Sequence, residues 1–480
     1  MINNSTRFLR LRDFLKQHWL ILSIMLLMFI PRFVMMDSLG LTYSLQSDDA
    51  AYVQSGITFA KTGVISMWTP YPSAQIMPGT PLFFALLYIL FGDGVAFYLA
   101  IKLLYFAMAS FTAWFVYKSV TLYAPKWCGL IAVLPLFRTD FVWMSNTTLT
   151  ETPYLLAFTA AVYFSMKYAK ERKNRDFYLF IAAYMIGLMF RANIITFPLF
   201  LFVYLIFLKF NLRELLKKFC ILLCVLLIFV IPWSIRNYIH FDAFIPLTYG
   251  SGHPLLLGTH QGIHYPPDEI SNDEYLAYEP NYTLTETVKH PELFSTPEYE
   301  SVDYYAYITQ LASTRFYQYL DSNYEILPEY DIYVTNEVCG LLAKLRMKLW
   351  FETSPLTMLY SYLIIKPKFM INSCFYWGEY MGKATEMLRM IPLWENYIAL
   401  LAFVFIWCRK DKRSAFLFPL ILYLGNILAY AIGFSFERYN ASVVSAKYIA
   451  IGIGIGLAVD VIVQLVHSFS QKHPTGKYLK

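Results

Sequence analysis

Apolar residues fall in long runs separated by short polar breaks. The first run, residues 19–36, is long enough to cross about 30 Å of hydrocarbon. Its one charge, Arg32, lies near the far end, where a long side chain is expected to reach interfacial water. Further runs at 95–120, 127–142, 149–166, 177–190, 194–208, 219–235, 392–407, 416–434 and 443–466 each predict a membrane-spanning helix. Residues 82–91 are apolar but short, and read as an interfacial or half-inserted helix, with a full span as the alternative. Residues 52–61 predict a short surface helix that stops at Gly63. Residues 355–390 hold two short apolar pieces, either external interfacial helices or a membrane hairpin. The pattern predicts an all-α polytopic membrane protein with about 10–12 transmembrane helices.

Charge fixes the orientation. Arg7, Arg10, Arg12 and Lys16 precede the first run, and Lys167, Lys170, Arg172, Lys173 and Arg175 fill a later break. Lys209, Arg213, Lys217 and Lys218 fill another, and residues 409–413 are almost all basic. Lys and Arg concentrate in cytoplasmic loops, so both termini are expected inside and residues 37–94 outside. Between residues 240 and 352 acids outnumber bases, and Tyr and Pro are frequent. That segment is expected outside, as a folded and mainly helical domain. Three regions follow: a transmembrane module 1–240 with its first external loop at 37–94, an external domain with interfacial helices at 241–392, and C-terminal transmembrane helices at 393–480.

Composition agrees. Of 480 residues, 58% are hydrophobic and only 15% charged, which excludes a soluble domain. The six cysteines show neither a CxxC pair nor zinc spacing, so neither a disulfide framework nor a zinc site is expected. The N-terminal run reads as an anchor and not as a cleavable signal. There is no P-loop, GxGxxG or internal repeat.

The candidate chemistry starts at Ser47-Asp48-Asp49-Ala50-Ala51-Tyr52, an acidic pair in the first external loop. Desolvating an unpartnered carboxylate is expensive, so the pair is expected at a water-accessible cavity beside the bilayer. Arg138, Asp140, Glu151, Arg191, Arg236, Glu437 and Arg438 all fall at the same membrane face by helix parity. External arginines run against the charge rule, and clustered guanidinium groups suit phosphate, which they bind through two oxygens at once. Trp68, Tyr71, Trp377, Tyr380 and Trp394 could stack on sugar rings or form an interfacial aromatic belt.

These motifs, in this order, resemble the GT-C-type glycosyltransferases of family 39, the dolichyl-phosphate-mannose–protein mannosyltransferase-like group, whose bacterial relatives include lipid A aminoarabinose transferases. The acidic pair with Tyr52 resembles the family's acidic motif. Met77-Pro78-Gly79-Thr80-Pro81-Leu82, Thr150-Glu151-Thr152, Phe190-Arg191-Ala192-Asn193, Pro232-Trp233-Ser234-Ile235-Arg236-Asn237-Tyr238 and Glu437-Arg438-Tyr439 resemble its later segments. Asp49 stands where many members have Glu, and Ala192 where Pro is usual.

The resemblance implies transfer of a hexosyl or pentosyl unit from a polyprenyl-phosphate carrier to a lipid, glycan or protein acceptor. It places the active site on the non-cytoplasmic face of the cell membrane and implies no nucleic-acid partner. Carried over by position, Asp48 would be the general base, with Asp49 the second catalytic carboxylate. Glu151 would serve the acceptor or a cation, and Arg236, Arg191 and Arg438 would bind phosphate. A divalent cation, Mg or Mn, would be held by Asp49 and Glu151. Two other readings share these features: a transporter or flippase of a lipid-linked glycan, and a non-catalytic relative that binds polyprenyl phosphate.

Overall fold

The computed structural model describes residues 4–266, 331–372, 391, 394–399 and 413–472. These residues are helical wherever they are regular, with no strand among them. The first run forms α1 (Asn4–Leu27) and α2 (Phe29–Leu39), joined at Met28. Arg32 does not reach water as expected. It is 1% exposed, donates to the Met28 carbonyl at 2.8 Å and points its other terminal nitrogen at the Leu136 carbonyl. The buried guanidinium thus finds its partners in backbone carbonyls beside the helix break.

The surface helix is present as α3 (Asp48–Thr62) and begins at the acidic pair itself. Gly63 ends it with φ +73°, a left-handed conformation that favours glycine, and its N–H bonds the Phe59 carbonyl at 2.8 Å. The short apolar run forms α4 (Gly79–Phe91). Its 13 residues reach only about 20 Å, too short for a full span.

Then come α5 (Val95–Thr121), α6 (Lys126–Val133) and α7 (Thr139–Met144). The span expected over 127–142 is therefore broken. A 3₁₀ turn at Leu134–Phe137 contains Pro135, and Arg138 is extended. The helices α8 (Glu151–Glu171), α9 (Asn174–Phe190), α10 (Phe197–Phe207) and α11 (Leu212–Phe241) follow. Most of α8 is buried, packed between α5 and α9, so it carries polar residues that a lipid-facing helix would not.

Beyond α11 lie α12 (Gly252–Gly258), α13 (Asp331–Thr353), α14 (Pro355–Tyr360) and α15 (Lys366–Asn372), the last two joined by a π turn. Of the expected external domain, residues 267–330 and 373–390, with Trp377 and Tyr380, lie outside the described residues. So does most of the expected span at 392–407. The chain closes with α16 (Arg413–Ile432), α17 (Glu437–Ala441) and α18 (Val444–Lys472).

Five segments among the described residues are long and apolar enough to cross a membrane: Arg12–Leu39, Val95–Thr121, Leu212–Phe241, Arg413–Ile432 and Val444–Val466. The last packs closely on α5 and α6. A Cβ at Gly452 would fall 2.8 Å from a Val120 methyl and 2.9 Å from Ala132 Cβ, and one at Gly456 2.7 Å from Ala124 Cβ. Small residues are what allow such close helix approach within a bilayer. Gly452→Leu is expected to lower stability by about 1–3 kcal/mol, the scale of overpacking. Thermal unfolding in detergent measures it, and an unchanged midpoint contradicts the packing.

Candidate active site

Four charged side chains from four distant segments meet beside the first turn of α3. Glu151, the first residue of α8, is fully buried. Its Oε1 accepts a hydrogen bond from Arg191 Nη1 at 2.8 Å and lies 2.8 Å from Arg438 Nε. Arg191 is the residue at which α9 ends, and Arg438 belongs to α17. Arg438 turns its Nη2 to Asp48 Oδ2, at 2.7 Å. Two carboxylates and two guanidinium groups thus form a neutral chain, Asp48–Arg438–Glu151–Arg191. Such a balanced arrangement is what permits four charges to be buried together.

Aromatic rings frame the chain. Arg191 lies over Tyr439 at 5.4 Å and over Tyr154 at 5.9 Å, and Arg438 over Tyr439 at 5.9 Å. Tyr439 in turn stacks on Tyr430, with centroids 4.8 Å apart. Burial opposes the Arg438 charge, but Glu151 and Asp48 outweigh it and raise its pKa well above the ordinary arginine value. Burial, and then Asp48, raises the pKa of the Tyr52 phenol, so it stays a neutral hydroxyl beside the carboxylate.

Two atoms in this cluster are left for something else. Glu151 Oε2 is buried and finds no hydrogen-bond partner among the described residues. Asp48 is the most open member, its side chain 30% exposed. Only its Oδ2 has a partner among the described residues. The cluster therefore offers one carboxylate at a water-accessible edge and one acceptor oxygen in its interior.

Asp49 does not join. It is fully buried, its Oδ2 accepting the Leu45 N–H at 2.8 Å and its Oδ1 the Ser47 N–H at 3.2 Å. Adjacent helical residues point about 100° apart, so the pair divides its work. Asp49 ties down the turn that presents Asp48. A cation shared by Asp49 and Glu151 does not fit this arrangement. Asp49 spends both oxygens on amides, and Glu151 Oε1 lies between two guanidinium groups. No group of three or more His, Cys, Asp and Glu with metal-binding geometry occurs among the described residues.

Arg236 is also elsewhere. It sits on α11, donating to the Ser73 carbonyl at 2.9 Å, to Asn237 Oδ1 at 2.9 Å and to the Ile65 carbonyl at 3.3 Å. Around it Ile65, Ala74, Trp233, Phe241, Ile245 and Tyr249 form a small core that joins the loop after α3 to the end of α11. Arg236 pins that loop. Arg236→Ala is expected to expose residues 63–78 to proteolysis and to cost about 1.5–3 kcal/mol, as for a hydrogen bond with one charged partner. If donor affinity falls while the loop stays protected, Arg236 serves phosphate instead.

A second buried network lies apart from the first. Arg138 holds Asp140 with two bonds at 2.7 and 2.6 Å and Glu395 with one at 3.0 Å, and Lys447 lies 2.8 Å from Glu395 Oε2. It staples α7, residues 394–399 and α18 together, and its members balance one another.

Residues 73–235 match the protein family described as dolichyl-phosphate-mannose-protein mannosyltransferase. No curated protein matches the chain. Among solved structures, the oligosaccharyltransferase AglB from Archaeoglobus fulgidus, in complex with an inhibitory peptide and a dolichol-phosphate, is 12% identical with a TM-score of 0.50. That likeness covers 97% of this chain and 53% of AglB, so the chain spans about half the length of that enzyme. ArnT from Cupriavidus metallidurans, bound to undecaprenyl phosphate, is 13% identical with a TM-score of 0.40, over 92% of this chain and 78% of ArnT. In its apo state ArnT is 14% identical, with a TM-score of 0.39 over 91% and 78%. The AglB likeness supplies the fold, and the family match covers the segment that carries Glu151 and Arg191. Over residues 73–235 the chain is similar to that mannosyltransferase family, and its fold is similar to that of AglB.

Proposed function

We propose that the chain transfers a hexose or pentose from a polyprenyl phosphate to an acceptor hydroxyl on the non-cytoplasmic face of the cell membrane, with Asp48 as general base. The observation that supports this reading is the convergence of Asp48, Glu151, Arg191 and Arg438. A base acts only within hydrogen-bond reach of the proton it takes, and Asp48 is the carboxylate of the cluster that water and substrate can reach.

Charge changes through the reaction in a way that suits the chain of pairs. The acceptor oxygen forms a bond to the anomeric carbon, and its proton passes to Asp48. The bond from that carbon to the phosphate oxygen breaks, and its electron pair stays on phosphate. The carrier goes from a singly charged diester to a doubly charged monoester, while Asp48 goes from charged to neutral. Net charge in the site is unchanged. Arg438, freed from a protonated Asp48, can turn to the leaving phosphate, where negative charge has developed. Arg191 remains on Glu151 and keeps that carboxylate in place. Glu151 Oε2 is available to a hydroxyl of the acceptor or sugar. A divalent cation, where one takes part, would add to the same neutralisation of phosphate; Asp49 and Glu151, as they are arranged here, would not be the pair that holds it.

Transfer of labelled sugar from a synthetic polyprenyl-phosphate donor in liposomes tests the activity. Orientation is tested separately. In a background free of native cysteines, a cysteine at exposed Lys61 should label from outside intact cells, and one at exposed Lys173 only after permeabilisation. Labelling of both from the same side contradicts the placement.

A further inference from the structure

A cleft of about 600 Å³ opens along α3 beside the reactive cluster. Its walls come from residues 42–47, from one face of α3, and from residues 66–70 of the loop that follows, with Tyr98 and Thr148 completing it. It reaches the first turn of α3, the turn that carries Asp48, although none of the four charged residues lines it. Ser47, Ala50 and Ala51 line it, Asp48 belongs to the same turn, and Thr148 bonds the Asp49 carbonyl at 2.9 Å.

The cleft's chemistry is unlike that of its neighbour. No Lys, Arg, His, Asp or Glu lines it among the described residues. Most of its side chains end in a hydroxyl or an amide, as at Ser44, Gln46, Gln54 and Thr58, with the rings of Trp68 and Tyr98 beside them. A lipid tail would be met by apolar walls, and an anionic headgroup or peptide by charge. Hydroxyls and amides both donate and accept, which matches the mixed donors and acceptors of sugar hydroxyls. An indole or phenol offers a flat apolar face with one polar handle, which matches the two sides of a sugar ring.

The backbone adds an independent sign. Trp68 has φ +67° and Gln46 φ +52°, a left-handed conformation that residues with a side chain adopt at a cost. Trp68 is also half exposed, so burial of its ring does not explain the strain. Strained backbone of this kind collects at ligand sites.

We propose that this cleft binds the acceptor, and that the acceptor is an uncharged glycan whose reacting hydroxyl is presented to Asp48. The role of Asp48 rests on the reading above; the chemistry of the cleft does not. The test is equilibrium binding of the full-length protein, in a sugar-free detergent, to an array of neutral and uronic-acid-containing oligosaccharides. Neutral members should be retained in preference to anionic ones. Trp68→Asn keeps a residue that tolerates the left-handed backbone while removing the ring, and Gln54→Leu removes an exposed amide. Each should weaken retention tenfold or more. Retention of anionic members above neutral ones, no retention of any neutral member, or retention untouched by both substitutions overturns the proposal. Asp48→Asn should leave glycan retention intact. Loss of neutral binding with an essential Asp48 overturns the cleft alone, and full transfer by Asp48→Asn overturns only the catalytic reading.

Discussion

Asp48→Asn should reduce sugar transfer by about 10²–10⁴-fold, the usual cost of losing a general base, while donor binding stays near the parent value. The substitution keeps the side chain's volume and leaves an oxygen that can still accept from Arg438, so the fold around α3 is preserved. What disappears is the carboxylate that receives the acceptor proton. Asp49→Asn makes the informative contrast. Its two oxygens hold the Leu45 and Ser47 amides, and an amide nitrogen placed against an N–H leaves one donor unpaired. That costs about 1–3 kcal/mol of local stability, so the yield of folded protein should fall while turnover per folded molecule changes far less. The measurement is transfer rate and donor affinity for both variants, normalised to folded protein. Parent-rate transfer by Asp48→Asn removes it as the base, and a dead but well-folded Asp49→Asn exchanges the two roles.

Glu151→Gln should be the most damaging single change to folding. It leaves Arg191 without its carboxylate and Arg438 with Asp48 alone, both deep in the protein. Removing one partner of a buried ion pair typically costs about 3–5 kcal/mol. The loss arises from the stranded cation, so a second substitution that removes a cation should restore much of it. Glu151→Gln with Arg191→Gln is expected to unfold closer to the parent temperature than Glu151→Gln alone, and to remain inactive. Thermal unfolding of the single and double variants forms the cycle. If the double variant is less stable by the sum of the two singles, the charges are not coupled and the cluster has been misread.

The sequence revealed helices better than partners. Gly63 ends α3 where the αL signal placed it, and the acids, Glu151, Arg191 and Arg438 were recognisable from position and charge. Arg236 looked like one of them because its span ends at the same face. The carbonyls of Ile65 and Ser73 that it bonds belong to a backbone every residue has, and leave no mark in a side-chain pattern. The partners of Asp49 are hidden for the same reason, since backbone amides hold it. The break in the third run did carry a signal, in Pro135, but a continuous apolar stretch outweighs one proline when only hydropathy is weighed. The Arg138–Glu395 pair joins positions 257 apart, and nothing local announces such a contact. Tyr439 as a platform for both arginines was visible only as the residue after Arg438.

The order in which the chain is made gives the Asp48–Arg438 pair another meaning. Their contact spans 390 positions, so the ribosome has delivered Asp48, Glu151 and Arg191 long before the residue that balances them. Until α17 arrives, the half-built site carries one more negative charge than positive and lacks the arm that orients Asp48. A chain cut short anywhere before Arg438 should insert its earlier helices yet never hold a competent site. Synthesis of the polypeptide thus delays the chemistry until α17 has been made.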